Sequence, residues 1–386
     1  MKKLLFYYIC IVLVFVSCSK KKKEPRTTNN NLVELQREEM NFLPSDVLQL
    51  KSYYLSSPVE TDSVHILVGY NYKEHALDCM DLLNKKISQI PLQIEGPNAI
   101  TRLTGIFAYK KDSIWISDES ESVFLVNHEG LTMKRIHVRD YLQEEEELII
   151  NTNHAMSTIH LYYNAAHQSL LCTVKDRSTS PVRFKVKEIF IEENKEAKTF
   201  DLLPSVVEPD ISKGYANMSE PNVNFRDGYI LYNYPIESHL YRANLTTGIS
   251  EIYPADSEYT TNQAEKCKSK TDYSEWEKHG FENPHFFDLM YIPRYDMYAR
   301  LHIGPIDFKE DENPEIIAHK RDLYLCLFDN KFNKIKEAKL PSNTFSPYTG
   351  WSQTDSGILL FVDKITDQDN SEDLELNIFH PIFINL

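Results

Sequence analysis

The sequence predicts an all-β protein built from repeated four-stranded antiparallel sheets, and three observations carry that prediction. The first is a hairpin at residues 323–341 (LYLCLFDNKFNKIKEAKLP): an apolar strand, a polar turn around Asn330 and Asn333, then a second strand ending at a proline. It returns at 79–92 (CMDLLNKKISQIPL), 123–138 (VFLVNHEGLTMKRIHV), 189–202 (IFIEENKEAKTFDL) and 240–254 (LYRANLTTGISEIYP). The second is spacing: the units recur every roughly 40 to 60 residues, about the length of four short strands with tight turns. The third is a deficit, because the last unit has too little chain for four strands. An open array would leave sheet edges unpaired, so the missing strand is expected from the lead-in near residues 33–35. Six such units closed on themselves make a six-bladed β-propeller of four-stranded antiparallel blades, the last closed by the N-terminal segment. Seven blades or two β-sandwiches are the competing arrangements.

At 386 residues the chain exceeds what one simple core fills, so two domains or one repeat-built domain are expected, and the repeats favour the second. The content is 42% hydrophobic and 12% aromatic, with 23 Tyr and 19 Phe, which suits pleated surfaces and excludes disorder for most of the chain.

Residues 1–17 carry Lys2 and Lys3, then an apolar run, then Ser17 before Cys18, the layout of an export signal. The apolar run falls short of the about 20 residues a membrane span needs. Phe15-Val16-Ser17-Cys18 resembles a bacterial lipobox, in which the cysteine thiol is acylated, so Cys18 is the expected lipid attachment. Residues 18–31 include SKKKKEPRTTNNN, with nothing able to join a core, and read as a flexible basic tether. Its lysines supplement the acyl chains against anionic headgroups. Removing the seven basic residues and one acidic residue of the first 26 positions leaves 35 basic and 56 acidic, a net charge near −21. Such a body does not bind nucleic acid through phosphates.

The first unit shows strands at 65–70, 76–83 and 87–92. The second is the clearest, at 105–109, 113–117, 122–126 and 131–138, with short polar turns between. After an acidic break at 144–147, the third covers about 157–202. The fourth, 224–254, repeats features of the second: Asp227-Gly228 begins a strand as Asp112-Ser113 does. Residues 267–283 read as a long polar insertion with one helical turn. The fifth unit has strands at 286–291 and 296–303, an acidic loop at 307–315, and the hairpin at 323–341. The sixth shows 350–352, 357–363 and 374–386. The propeller domain thus spans 32–386. Cys79, Cys172, Cys267 and Cys326 have no neighbours at zinc spacing, and buried free thiols are expected.

Four features together look like one family: the lipobox, the Glu95-Gly96-Pro97-Asn98 turn after a Leu-Asn-Lys-Lys hairpin, the Asp112-Ser113-Ile114-Trp115 strand, and Tyr295-Asp296-x-Tyr298-x-Arg300. The chain resembles a family of Bacteroidota lipoproteins with a domain of unknown function, similar to six-bladed propellers. That resemblance implies an envelope location and a propeller fold, and no catalytic residues.

No G-x-S-x-G, H-E-x-x-H or phosphate-cradling glycine loop occurs, and the thirteen histidines are scattered. Asp367, Asp369, Ser371 and Asp373 alternate as a calcium loop does, but Glu372 stands where Gly is needed and Ile378 where a bidentate Glu is needed. A solvated acidic turn is expected there, with no metal and no cofactor. Propellers seat ligands at a mouth of the central channel. The candidate ligand-binding residues on inner segments are Glu95, Asn98, Arg102, Arg294, Tyr298, Arg300 and Trp351. Arginines near the axis grip an anion or pair with carboxylates of adjacent blades.

The expected function is a non-catalytic cell-envelope lipoprotein, a scaffold binding an envelope protein or a small ligand. A carbohydrate-active or lyase-type enzyme with its site at the channel mouth is the alternative. The four lysines after Ser19 favour the periplasmic face of the outer membrane.

Overall fold

Inner and outer strands differ in residue pattern, and that difference places them. Continuous apolar runs such as Ile66–Asn71 are buried at every residue, whereas Lys86–Pro91 alternates exposed and covered positions. A strand sandwiched between neighbouring sheets must be apolar on both faces, while an outermost strand meets water on one. The computed structural model describes residues 32–42, 47–60, 65–149, 161–192, 195–210, 214–269, 271–363 and 374–384. Cys18, the rest of 1–31 and positions 367–373 of the calcium-like turn lie outside them. The chain divides into two compact units, Met1–Glu34 with Phe383–Leu386, and Leu35–Ile382. The ring of sheets is built on the second.

β1 (Leu32–Asn41) opens the described chain. Blade one is β2 (Ser56–Pro58), β3 (Ile66–Asn71), β4 (Ala76–Asp81) and β5 (Lys86–Pro91). Blade two is β6 (Leu103–Lys110), β7 (Ser113–Asp118), β8 (Ser122–Val126) and β9 (Thr132–His137). Blade three is β10 (Glu146–Leu148), β11 (Tyr162–Asn164), β12 (Ser169–Asp176), β13 (Arg183–Phe190) and β14 (Lys198–Asp201). Blade four is β15 (Asn222–Arg226), β16 (Tyr229–Asn233), β17 (Leu240–Asn244) and β18 (Ser250–Tyr253). Blade five is β19 (His285–Ile292), β20 (Met297–Ile303), β21 (Leu323–Asp329) and β22 (Lys334–Lys339). Blade six is β23 (Trp351–Gln353), β24 (Ile358–Phe361) and β25 (Glu375–Ile384), with β1 hydrogen-bonded to β25 as its outermost strand. The lead-in thus supplies the missing strand. It is ten residues long rather than three.

The five recurring hairpins are the third and fourth strands of blades one to five. In four of them one residue at the end of the third strand makes the turn. Asp81 Oδ1 accepts from the backbone N–H of Leu83 (3.0 Å) and Asn84 (2.9 Å), Asn127 from Glu129 and Leu131, Asn244 from Thr246 and Thr247, and Asp329 from Lys331 and Asn333. A short side-chain oxygen at that position satisfies the amides a tight turn leaves unpaired. Asn333 is therefore a turn donor. Asn330 instead reaches Asp296 Oδ2 at 2.6 Å, in the turn before β20.

Adjacent blades share apolar seams. Val68 and Leu77 pack with Ile106 and Ile116 between blades one and two, and Leu67 and Met80 with Leu359 and Phe361 across the closing seam. Each such buried side chain stabilises by about 1.5 to 3 kcal/mol. Gly130, at φ +79°, lies where an added Cβ would stand 1.9 Å from the carbonyl oxygen of Pro91 in blade one. Gly130→Ala is expected to destabilise the protein by about 2 kcal/mol, from the left-handed backbone and the forced separation. A urea titration showing no shift in midpoint would exclude this close approach.

Two segments differ from the sequence expectation. The acidic break at 144–147 contributes β10: Glu146 is buried, with Lys187 Nζ at 2.5 Å and Lys185 Nζ at 3.6 Å. Both lysines come from β13, a pairing that the local sequence does not display. The insertion at 267–283 holds not one turn but a ten-residue helix, α1 (Tyr273–Glu282). Asp272 caps it by accepting from Ser274 N at 3.0 Å. Its Phe281 stacks on Phe308 at 5.5 Å and packs with Ile317 of a second helix, α2 (Pro314–Lys320), so burial extends what capping begins.

Cys172 and Cys326 are buried free thiols, both pushed up to about 12 by burial. Cys79 and Cys267 are also free and partly covered.

Candidate axial mouth

The first strands of the blades converge on a narrow axial channel of about 40 Å³, and each blade contributes a wall. Ser57 stands on β2, Phe107 on β6, Tyr162 on β11, Asn224 on β15, Asp288 on β19 and Trp351 on β23. The Trp351 indole N–H donates to Asp288 Oδ1 at 3.0 Å, and its ring meets Phe287 edge-on at 4.6 Å. The Tyr162 hydroxyl donates to Asn224 Oδ1, whose amide donates to Leu289 O at 2.8 Å. These bonds tie blade five to six, and three to four to five, across the axis.

At the end where the first strands finish, the channel opens into a cavity of about 340 Å³. Its wall is rich in rings: Phe107, Tyr109, Tyr162, Tyr163, Phe225, Tyr229 and Tyr291. Glu60, Asn164, Arg226, Asp227 and Gln353 add polar groups. The rings brace one another. Tyr109 meets Tyr163 edge-on at 5.2 Å, and Tyr162 stands against Phe107 (5.0 Å) and Phe225 (4.8 Å). Arg226 lies over Tyr291 at 4.2 Å, and its Nε donates to Asp227 Oδ2 at 2.9 Å. Burial pushes the Glu60 carboxyl above the usual carboxylate range, with Arg226 opposing and Asp227 adding to the shift. Burial likewise raises the Tyr162 hydroxyl, with Glu60 contributing.

The structure spreads the sequence candidates over several places. Trp351 lines the channel. Tyr298, on the second strand of blade five, stands behind the mouth with its ring against Tyr291 (5.2 Å) and Phe332 (4.8 Å). Burial pushes its hydroxyl up to about 12. Arg294 sits in the β19–β20 turn, and its Nε and Nη2 both donate to Asp355 Oδ2, at 3.0 and 2.9 Å. It clasps blade five to six. Arg300 belongs to β20, the second strand rather than an innermost one, and is buried among backbone carbonyls. Glu95, Asn98 and Arg102 lie by the start of β6, at the opposite end of that strand from the mouth. Arg102 there faces Glu119 at 3.8 Å.

Sequence reasoning missed Glu60, Tyr162, Arg226, Asp288 and Tyr291. The signal available was positional: each lies on or just after the first strand of its unit, and the Asp227-Gly228 turn marked the end of one such strand. Among the described residues, no group of three or more His, Cys, Asp or Glu is placed to hold a metal ion. No described helix is long and apolar enough to cross a membrane.

Fold and site together define a six-bladed β-propeller with a tyrosine-walled axial mouth. The chain belongs to the DUF4221 family, a domain of unknown function, whose profile matches residues 31–339. The crystal structure of a DUF4221 member from Bacteroides vulgatus superposes with a TM-score of 0.73 at 15% identity, covering 92% of this chain and 99% of that one. A Bacteroides fragilis protein described as exported gives 0.48 at 13% identity over 93% and 98%. An oligogalacturonate lyase in complex with manganese gives 0.41 at 9% identity over 88% and 81%. The first of these shows the shared fold; the other two bear on nothing further. No curated protein matches the sequence.

Proposed function

We propose that this chain is a lipid-anchored cell-envelope binding protein without catalytic activity. Residues 1–17 are the signal peptide, Cys18 carries the lipid, 18–31 tether the domain, and 32–386 are the propeller. Its ligand, a small molecule or a segment of an envelope protein, sits in the axial mouth, and the anchor holds it at the periplasmic face of the outer membrane. The observation that carries this reading is the ring-walled cavity of about 340 Å³ above a channel of about 40 Å³. Such a cup is concave, with aromatic rings and polar groups sharing its wall, so that it can both cover a ligand and orient it. Two groups that could do acid-base work are engaged: Asp288 accepts from Trp351, and the Tyr162 hydroxyl is spent on Asn224, which leaves Glu60, of these three, outside any such bond among the described residues. That favours binding over chemistry.

The test is a thermal-shift survey of the full-length protein in detergent against free sugars, oligosaccharides, amino acids and amines. At least one compound class is expected to raise the melting midpoint by several degrees in the wild type and not in Tyr163→Leu. A survey without any such shift, or turnover of any compound, overturns the reading. Labelled palmitate should enter the wild type and not Cys18→Ala; label in both would remove the anchor.

A further inference from the structure

The mouth's charges narrow what it accepts. Three of its tyrosines already hold a cation from the protein: Tyr291 under Arg226 at 4.2 Å, Tyr229 under Arg242 at 4.9 Å, and Tyr109 under Lys110 at 5.5 Å. Two of those cations have carboxylate partners, Asp227 for Arg226 and Glu251 for Arg242. One carboxylate in the wall, Glu60, has no counterpart in contact, since Arg226 is bonded to Asp227 and acts on Glu60 only through space. Among the described residues no hydrogen bond or ion pair reaches the side chain of Glu60; only its backbone N–H is engaged, with Ala108 O at 2.9 Å. Glu60 is largely withdrawn from water beside the Tyr162 hydroxyl, and Asp288 lies deeper on the axis. Tyr162 and Tyr163 carry no cation among the described residues.

A partly desolvated carboxylate without a partner costs free energy that a bound cation recovers, and ring faces attract the same charge. The geometry points to an organic ammonium group as the ligand of the mouth, seated against the Glu60 carboxylate and the rings of Tyr162 and Tyr163, the wall tyrosines that hold no cation of the protein. The inference rests on the binding role of the mouth and adds the ligand's charge. Among the residues lining the cavity, an anion would meet Glu60 and Asp227 against Arg226, with Asp288 in the channel below. A free amine and a lysine side chain offer the same ammonium chemistry.

Calorimetry on the full-length protein in detergent tests it, with choline, Nα-acetyl-lysine amide, and 3,3-dimethyl-1-butanol as the neutral counterpart of choline. At least one of the two cations is expected to bind, and the alcohol about tenfold or more weaker. A tighter choline assigns the site to free amines, and a tighter lysine amide to side chains. Glu60→Gln is expected to weaken the cation about tenfold at a melting midpoint no lower than that of the wild type, and Tyr163→Leu to weaken it independently. Equal binding of the alcohol, full binding by Glu60→Gln, or no binding of either cation overturns the inference. If sugars shift the melting midpoint through Tyr163 while both cations fail, the mouth remains a binding site and only its charge preference falls.

Discussion

Arg300→Ala is expected to destabilise the propeller by about 4 kcal/mol, the largest effect of any single substitution proposed for this chain. The Arg300 guanidinium is 1% exposed and crosses from blade five to blade four. It donates to Ser238 O at 2.6 Å and Ala255 O at 2.9 Å, and lies over Phe286 at 4.8 Å. Burial lowers its pKa to about 10, so it remains a cation at neutral pH. Removing it strands two buried carbonyls without donors and leaves a hole beside Phe286 and Phe328. Arg300→Met refills much of that volume and is expected to recover about 1 to 2 kcal/mol, since the carbonyls stay unpaired. Arg300→Lys cannot span both carbonyls with one ammonium and should fall between. Urea titrations with constant slope measure each step. A wild-type midpoint in Arg300→Ala would show that the blade four to five seam does not depend on these bonds.

The second expectation concerns acid. Glu337 on β22 is nearly fully buried and accepts from Ser257 Oγ (2.5 Å), Glu258 N (2.9 Å), Lys334 Nζ (3.1 Å) and the His302 ring (3.0 Å). Burial alone would raise its pKa. The His302 and Ser257 hydrogen bonds and the Glu258 amide outweigh that and hold it at about 2. A carboxyl whose folded pKa is depressed contributes stability that is complete above its unfolded pKa and is lost as pH falls through the folded one. For Glu337 that window runs from about 4.5 down to about 2, and the contribution at neutral pH is about 3 kcal/mol. His302 is held below its usual pKa by burial, so its own loss begins near pH 6.5 in any variant that keeps it. Glu337→Gln should therefore be less stable than wild type by about 3 kcal/mol at pH 7 and indistinguishable from it near pH 2. Parallel unfolding curves at both pH values decide this; an equal difference at pH 2 would mean that packing, not charge, accounts for the loss.

The blades were legible in the sequence where a strand is long and its pattern continuous. Ser113–Asp118 and Leu323–Asp329 announce themselves through apolar runs bounded by Asp and Asn turns. β2 does not: Ser56-Ser57-Pro58 is three residues with two hydroxyls and a proline, and only its place beside β3 makes it a strand. Glu60 was hidden for the same reason, because it follows that unseen strand. β10 was hidden by its charge, which is neutralised by lysines about forty residues away. The site was less legible than the fold. Arginine and tryptophan drew attention as residue types, yet Arg300 and Arg294 serve seams between blades, and only Trp351 faces the channel. Which residues meet at an axis depends on which strand of each blade is innermost and where it ends, and that order exists only once the ring is closed.

The closing strand also sets a timetable. Arg37 on β1 hydrogen-bonds Asn377 on β25, a separation of 340 positions. β1, the first of the described strands to be synthesised, is thus among the last to find its partner, and at about 5 to 20 residues per second the wait is on the order of tens of seconds. Throughout it the ring is an open row of blades, and contacts this distant in sequence form slowly. β1 is suited to waiting: Glu34, Arg37, Glu38 and Glu39 put charges along a strand whose edge is unpaired, which discourages pairing with a neighbouring chain.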